Sequence, residues 1–157
     1  MQTIQPCLWF DTQAEEAAAF YVSTFKDSRI VDIARYPEGS PGTAGTVMTV
    51  RFVLDGQEFL ALNGGPVFTF SPAISLVVNR ATQAEVDDLW ERLSAGGEEG
   101  QCGWLTDKYG VSWQIVPDAL TEMMSAGDAA AAQRAFTVML QMKKLDIALL
   151  ERAYESA

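Results

Sequence analysis

The sequence predicts an α+β fold in which one strand–helix–strands unit occurs twice and a helical tail follows. Three observations carry this expectation. The order of elements restarts near residue 73, where LVVNRATQAE matches the earlier LWFDTQAEEA and WLTDKYGVSWQIVP matches VLDGQEFLALN. Each copy closes two strand-like runs with a turn signal, Asp55-Gly56 in the first and Asp107-Lys108-Tyr109-Gly110 in the second. After Pro117 the composition shifts to Ala, Met, Leu and charge, which suits helices rather than further strands.

In the first copy, alternation over Ile4 to Phe10 predicts a strand with Ile4, Pro6, Leu8 and Phe10 on one face. Gln5, Cys7 and Trp9 fall on the other, and Pro6 suits an edge or a strand beginning. Asp11 or Thr12 is expected to cap a helix in which Ala14, Ala17, Ala18, Tyr21 and Phe25 recur at helical spacing. Arg29 to Tyr36 reads as a second strand. The loop from 37 to 45, with two prolines and three glycines, reads as the most flexible internal segment, with lid and linker roles both open. A hairpin of Thr46–Leu54 and Glu58–Asn63 completes the copy.

The second copy begins with a strand over Ala73–Asn79. Thr82 with Glu85 three residues on forms a capping box, and Val86, Leu89, Trp90 and Leu93 give that helix a buried stripe ended by Gly96-Gly97. In the closing run Val111, Trp113 and Ile115 alternate with Ser112, Gln114 and Val116. Trp113 is therefore assigned to the core and Gln114 to the opposite face. In the tail, Asp128 is expected to cap one helix, and a further helical pattern runs from Asp146 through Leu149, Leu150 and Ala153. Phe136, Met139, Leu140 and Lys143 form the stripe of the first, for which packing on the sheet or on a second subunit is the favoured reading.

Composition narrows the function classes. The 157 residues suit one domain with a substantial core, and 48% apolar against 20% charged residues is ordinary for a globular protein. A formal charge of −10 without a basic cluster argues against nucleic acid and anionic membrane as partners. No apolar run is long enough to span a bilayer, and no basic-then-apolar leader is present, so a cytoplasmic location is expected. There is no histidine, which removes the commonest general base and the commonest ligand for zinc, nickel and non-haem iron. The two cysteines, Cys7 and Cys102, lack metal-ligand spacing and are read as separate semi-buried thiols.

The segments PCLWFDTQAEEAAAFY, FLALNGGP, QCGWLTDKYGVSWQIVP and MKKLDIALLERA resemble the vicinal oxygen chelate superfamily of glyoxalases, bleomycin-resistance proteins and ring-cleaving dioxygenases. The resemblance is closest to its PhnB-like branch, whose members carry the label 3-demethylubiquinone-9 3-methyltransferase. It implies two βαβββ modules, at about 4–63 and 73–117, forming an open half-barrel cavity within a glyoxalase-like domain of residues 1–117, with 118–157 as a helical extension. In metal-dependent relatives four ligands project from the first and last strands of each module. Carried over, those positions are Gln5, Leu60, Ala73 and Gln114, and the internal repeat pairs Gln5 with Ala73 and Leu60 with Gln114. Two of these cannot bind a metal and two are neutral amides, so no metal site and no cofactor is expected. The methyltransferase label conflicts with the sequence, which lacks a glycine-rich strand-to-helix turn within a parallel sheet to hold that cofactor.

Three functional readings follow. The first is a binder of a small organic molecule, with Gln5, Cys7, Trp9, Ser75, Trp104 and Gln114 facing the ligand; against it, Trp9 and Trp104 could plug the cavity. The second is a metal-independent enzyme, for which Cys7 and Cys102 are the strong nucleophiles available and Asp11 and Asp107 are assigned to capping and turn roles. Glu58, beside the carried-over Leu60, is expected to face away from the cavity by strand alternation. The third is an interaction protein built as a homodimer through its C-terminal helices.

Overall fold

A computed structural model describes residues 2–156 and divides into two compact units, Met1–Phe70 and Ser71–Ala157. In the first unit the order is β1 (Cys7–Phe10), α1 (Ala14–Thr24), β2 (Arg29–Arg35), β3 (Val47–Leu54) and β4 (Gln57–Asn63). The sheet order is β1-β4-β3-β2, with β1 and β4 parallel and the other pairs antiparallel. One face carries Leu8, Phe10, Val50, Phe52, Phe59 and Ala61, all buried. Against it lies α1, whose Ala14, Ala17 and Ala18 are small enough for close approach and whose Tyr21 stacks on Phe52 at 6.3 Å. Phe52 stacks in turn on Phe59 at 5.4 Å.

The second unit repeats this plan with β5 (Ser75–Arg80), α2 (Gln83–Ser94), β6 (Glu98–Glu99), β7 (Trp104–Thr106) and β8 (Ser112–Pro117). Its order, β5-β8-β7-β6, is the same permutation, again with one parallel pair. Each unit is thus a βαβββ module with an open four-stranded sheet, as expected. The capping box is present: Thr82 accepts from Glu85 N, and the Glu85 carboxylate accepts from Thr82 N.

The tail contains α3 (Asp118–Ser125), α4 (Ala129–Met139), capped by Asp128 as expected, and α5 (Ile147–Glu155), which Asp146 caps. These helices pack into the second unit around Leu120, Met123, Ala135, Met142, Leu145 and Leu150. The chain between α4 and α5 is tied to the module by Cys102 N to Met142 O and Gly103 N to Lys143 O, both 2.8 Å. Gln83 adds two bonds, donating to Leu145 O at 3.0 Å and accepting from Ile147 N at 2.8 Å.

Several expectations need correction. The first strand starts at Cys7, so Gln5 lies outside it, although Pro6 O still accepts from Leu60 N at 2.9 Å. Neither Asp11 nor Thr12 caps α1: its first amide, Ala14 N, is satisfied by Asn63 Oδ1 at 2.8 Å, a long-range cap that no local pattern announces. Helix α3 follows Pro117 directly, a position where proline's missing N–H costs nothing. In α4 the buried residues are Ala131 and Ala135, while Phe136 and Leu140 are exposed and Lys143 falls outside the helix. Of the expected stripe, Met139 packs against the tail core, and the pattern did not mark the small residues Ala131 and Ala135, which permit the closest approach. The 37–45 loop is held at its neck by Gly45 N to Tyr36 O and Tyr36 N to Thr46 O, both 2.9 Å, and a methyl on Gly42 would lie 2.5 Å from the Tyr36 ring.

Candidate functional site

Asp107 organises the second module's closing hairpin. Its Oδ1 accepts from Tyr109 N at 2.9 Å and Val111 N at 3.0 Å, and its Oδ2 accepts from Trp113 Nε1 at 2.8 Å. Only 2% of Asp107 is exposed. Three donors satisfy this buried carboxylate, so its turn role, expected from sequence, extends to fixing the Trp113 rotamer in the core.

With Trp113 and Ile115 buried, strand alternation turns Ser112, Gln114 and Val116 to the other face. The parallel register sets Ser75 beside Ser112 and Val77 beside Gln114, and the antiparallel register sets Trp104 opposite Gln114. Gln114 Nε2 donates to Ser75 Oγ at 2.9 Å. Three of the predicted ligand-facing residues, Ser75, Trp104 and Gln114, are therefore brought together on one sheet face. Each is half-buried, and Val77 at their margin is 53% exposed. An amide fixed by a hydroxyl beside an indole can hydrogen-bond and stack on a planar neutral group.

In the first unit Cys7 and Trp9 share a face with Leu60 and Leu62, their register partners. Trp9 is pinned there: its Nε1 donates to Gly65 O at 2.9 Å and its ring meets Phe68 edge-on at 5.0 Å. A methyl on Gly64 would lie 2.3 Å from Trp9 Cζ2, so glycine at 64 is what lets the chain cross the indole. Cys7 counts as exposed by area, yet burial of its sulfur raises the thiol above its ordinary pKa. The direction opposes nucleophile activation. Glu58 pairs with Val53, and Leu60 with Arg51, so Glu58 shares the face of Leu60 rather than opposing it; a two-residue step never changes face.

The four carried-over metal positions also need one register correction. Leu60 pairs with Cys7, and Gln114 with Val77, so Gln5 corresponds to Ser75 and not to Ala73, which precedes β5. The replacement is a hydroxyl already engaged by Gln114. The donor set of amides, an alkyl chain and this hydroxyl does not fit a catalytic divalent metal, which takes imidazole, thiolate or carboxylate ligands. Among the described residues no three of His, Cys, Asp or Glu gather into a metal-holding group.

Fold and site together define a glyoxalase-like protein of the βαβββ type whose donor positions carry neutral groups. Residues 2–116 match the family model described as 3-demethylubiquinone-9 3-methyltransferase, and the chain belongs to that PhnB-like family. A PhnB protein from Bacillus cereus that carries the family's methyltransferase label is 42% identical, covering 74% of this chain and 99% of its own, with a TM-score of 0.68. A protein from Pseudomonas aeruginosa, 22% identical over 74% of this chain and 98% of its own, shares the fold at a TM-score of 0.62. So does the fosfomycin resistance protein FosX from Listeria monocytogenes in complex with Mn(II) and sulfate, at 14% identity, 74% and 91% coverage and a TM-score of 0.51. No curated protein matches the chain. The tail segment MKKLDIALLERA lies beyond the matched span.

The sequence did not point to one feature of the first unit, a cleft of about 550 Å³ lined by residues including Asp11, Glu15, Tyr36 and Asn63. Its signals were present in the Asn63-Gly64-Gly65 run, which reads as a break in the strand pattern, and in the glycine-rich 37–45 loop, which leaves lid and linker roles both open.

Proposed function

We propose that this protein binds a small, neutral, planar organic molecule without a metal, on the face of the second unit that carries Ser75, Trp104 and Gln114; Gln5, Cys7 and Trp9 are separate ligand-binding candidates within the first unit. The observation that carries this reading is the Gln114–Ser75 bond beside Trp104: a preset amide stands where metal-dependent relatives carry charged donors, and the Glu98 carboxylate, opposite Thr106, lies out on the edge strand β6. A methyltransferase reading has less support. Both sheets are mixed, and the turn from β1 to α1 reads Asp11-Thr12-Gln13, with no glycine to let a nucleotide-like cofactor approach the backbone.

A homodimer through the C-terminal helices is the second element of the proposal, supported by the exposed Phe136 and Leu140 one turn apart on α4. A cytoplasmic setting accords with two unpaired cysteines, and no helix among the described residues is long and apolar enough to cross a membrane.

Tryptophan fluorescence titration with neutral planar heteroaromatics tests the binding reading. Trp104→Ala and Gln114→Ala are each expected to weaken binding about tenfold, roughly the loss of one well-placed stacking or hydrogen-bonding group. Unchanged affinity in both variants would overturn it.

A further inference from the structure

The carboxyl ends of the parallel strands β1 and β4 open onto the cleft of about 550 Å³ in the first unit. That volume lies within the range of small-molecule pockets. Its floor is built rather than incidental. Tyr36 OH donates to Asn63 O at 2.5 Å, Asn63 Nδ2 donates to Val47 O at 3.1 Å, and Asn63 Oδ1 caps α1. Gly64 N donates to Phe10 O at 2.9 Å, and the Trp9 indole braces the same turn through Gly65 O. A single side chain, Asn63, thus joins a strand end, a helix start and a neighbouring strand, and Tyr36 fixes its backbone. Such a floor needs no rearrangement to receive a ligand.

The charge of the lining is one-sided. Asp11 and Glu15 both line the cleft, no lysine or arginine does, and neither carboxylate forms an ion pair among the described residues. The first turn of α1 gives Glu15 a favourable helix dipole, but this accounts neither for Asp11 nor for the open volume beside both. Thr43 adds a hydroxyl on the loop side, and the Tyr36 ring an apolar wall.

We propose that this cleft is a second binding site, distinct from the open sheet faces, that takes a small organic monocation: a primary ammonium held between Asp11 and Glu15, with a compact apolar body against Tyr36. An anion is repelled by the two carboxylates. A divalent metal finds only two carboxylates here, and among the described residues no three of His, Cys, Asp or Glu gather to hold one. A neutral molecule of the same shape forfeits the charge-assisted hydrogen bonds.

The test is a titration of the full chain, followed by backbone amide NMR, with benzylammonium and with benzyl alcohol as its neutral isostere. Benzylammonium is expected to shift the amides of Gly42, Thr43, Gly64 and Gly65 saturably, with an apparent Kd at least about tenfold below that of benzyl alcohol. Asp11→Asn and Glu15→Gln should each weaken the ammonium and leave the alcohol unchanged, with thermal melting confirming the fold. The isostere comparison needs no variant, so a misfolded variant does not blunt the test. Equal binding of the two probes, shifts centred on the strand face of Cys7 and Leu60, or undiminished ammonium affinity in the folded variants would each overturn the proposal. Failure here leaves the Gln114 reading intact, because that site is followed by different amides and different probes.

Discussion

The two modules share one strand permutation but satisfy their polar groups by different means. In the second module the solutions are local: Thr82 and Glu85 cap α2 within one turn, and Asp107 holds its own hairpin and the indole six residues on. In the first they are long-range, since Asn63 caps a helix that starts 49 residues earlier and Gly64 admits the ring of Trp9. The turns differ likewise. Asp55, at φ 49°, belongs to a tight two-residue hairpin turn exposed to solvent, whereas Asp107 is buried with three donors on it. One topology therefore does not prescribe one way of closing its ends. The local solutions leave a sequence signature and the long-range ones do not.

The largest expected effect comes from the buried carboxylate. Asp107→Ala leaves Tyr109 N, Val111 N and Trp113 Nε1 without their acceptor, and is expected to cost about 3–5 kcal/mol. Asp55→Gly removes an exposed side chain from a left-handed position that glycine adopts freely, and should stay within about 1 kcal/mol. Denaturant midpoints of the two variants check this, and comparable losses would erase the contrast between the turns.

Next come the glycines. A methyl on Gly97 would lie 2.1 Å from the backbone oxygen of Thr106, which cannot yield without breaking the β6–β7 pairing. At Gly64 the obstacle is the Trp9 side chain, which can rotate. Gly97→Ala should therefore destabilise by about 3 kcal/mol or more and Gly64→Ala by about 1–3 kcal/mol, with a change in tryptophan emission only in the second. Thermal melts and emission spectra read both.

The caps give the smallest difference. Asn63→Ala removes two hydrogen bonds, to Ala14 N and Val47 O, for about 2 kcal/mol, while Thr82→Ala costs about 1 kcal/mol. Equal effects by chemical denaturation would show that the long-range cap contributes no more than the local one.

This division also explains what the sequence disclosed. The duplicated βαβββ plan, the capping box, the Asp128 cap and the inward turn of Trp113 follow from spacings of a few residues, and each stands in the structure. The Asn63 cap depends on residues brought together by the sheet, and α3 was not delimited because its N-cap is Pro117, which offers no capping side chain. For the site, alternation was enough to put Gln114 and Trp104 on one face, because they lie on paired strands of one hairpin. Gln5 and Ala73 failed because a register was carried across two strands whose starts differ from the sequence pattern. The cleft at the strand ends was illegible for the same reason as the Asn63 cap: its lining comes from separate segments that only the folded sheet gathers.

The central claim is that neutral groups have replaced the metal ligands of the fold, and calorimetric titration of the chelator-treated chain with nickel and zinc tests it most directly. The expected result is no stoichiometric binding at micromolar protein, with the Gln114→Ala variant behaving identically. One metal held per chain, and lost on replacing Gln5 or Gln114, would contradict the account.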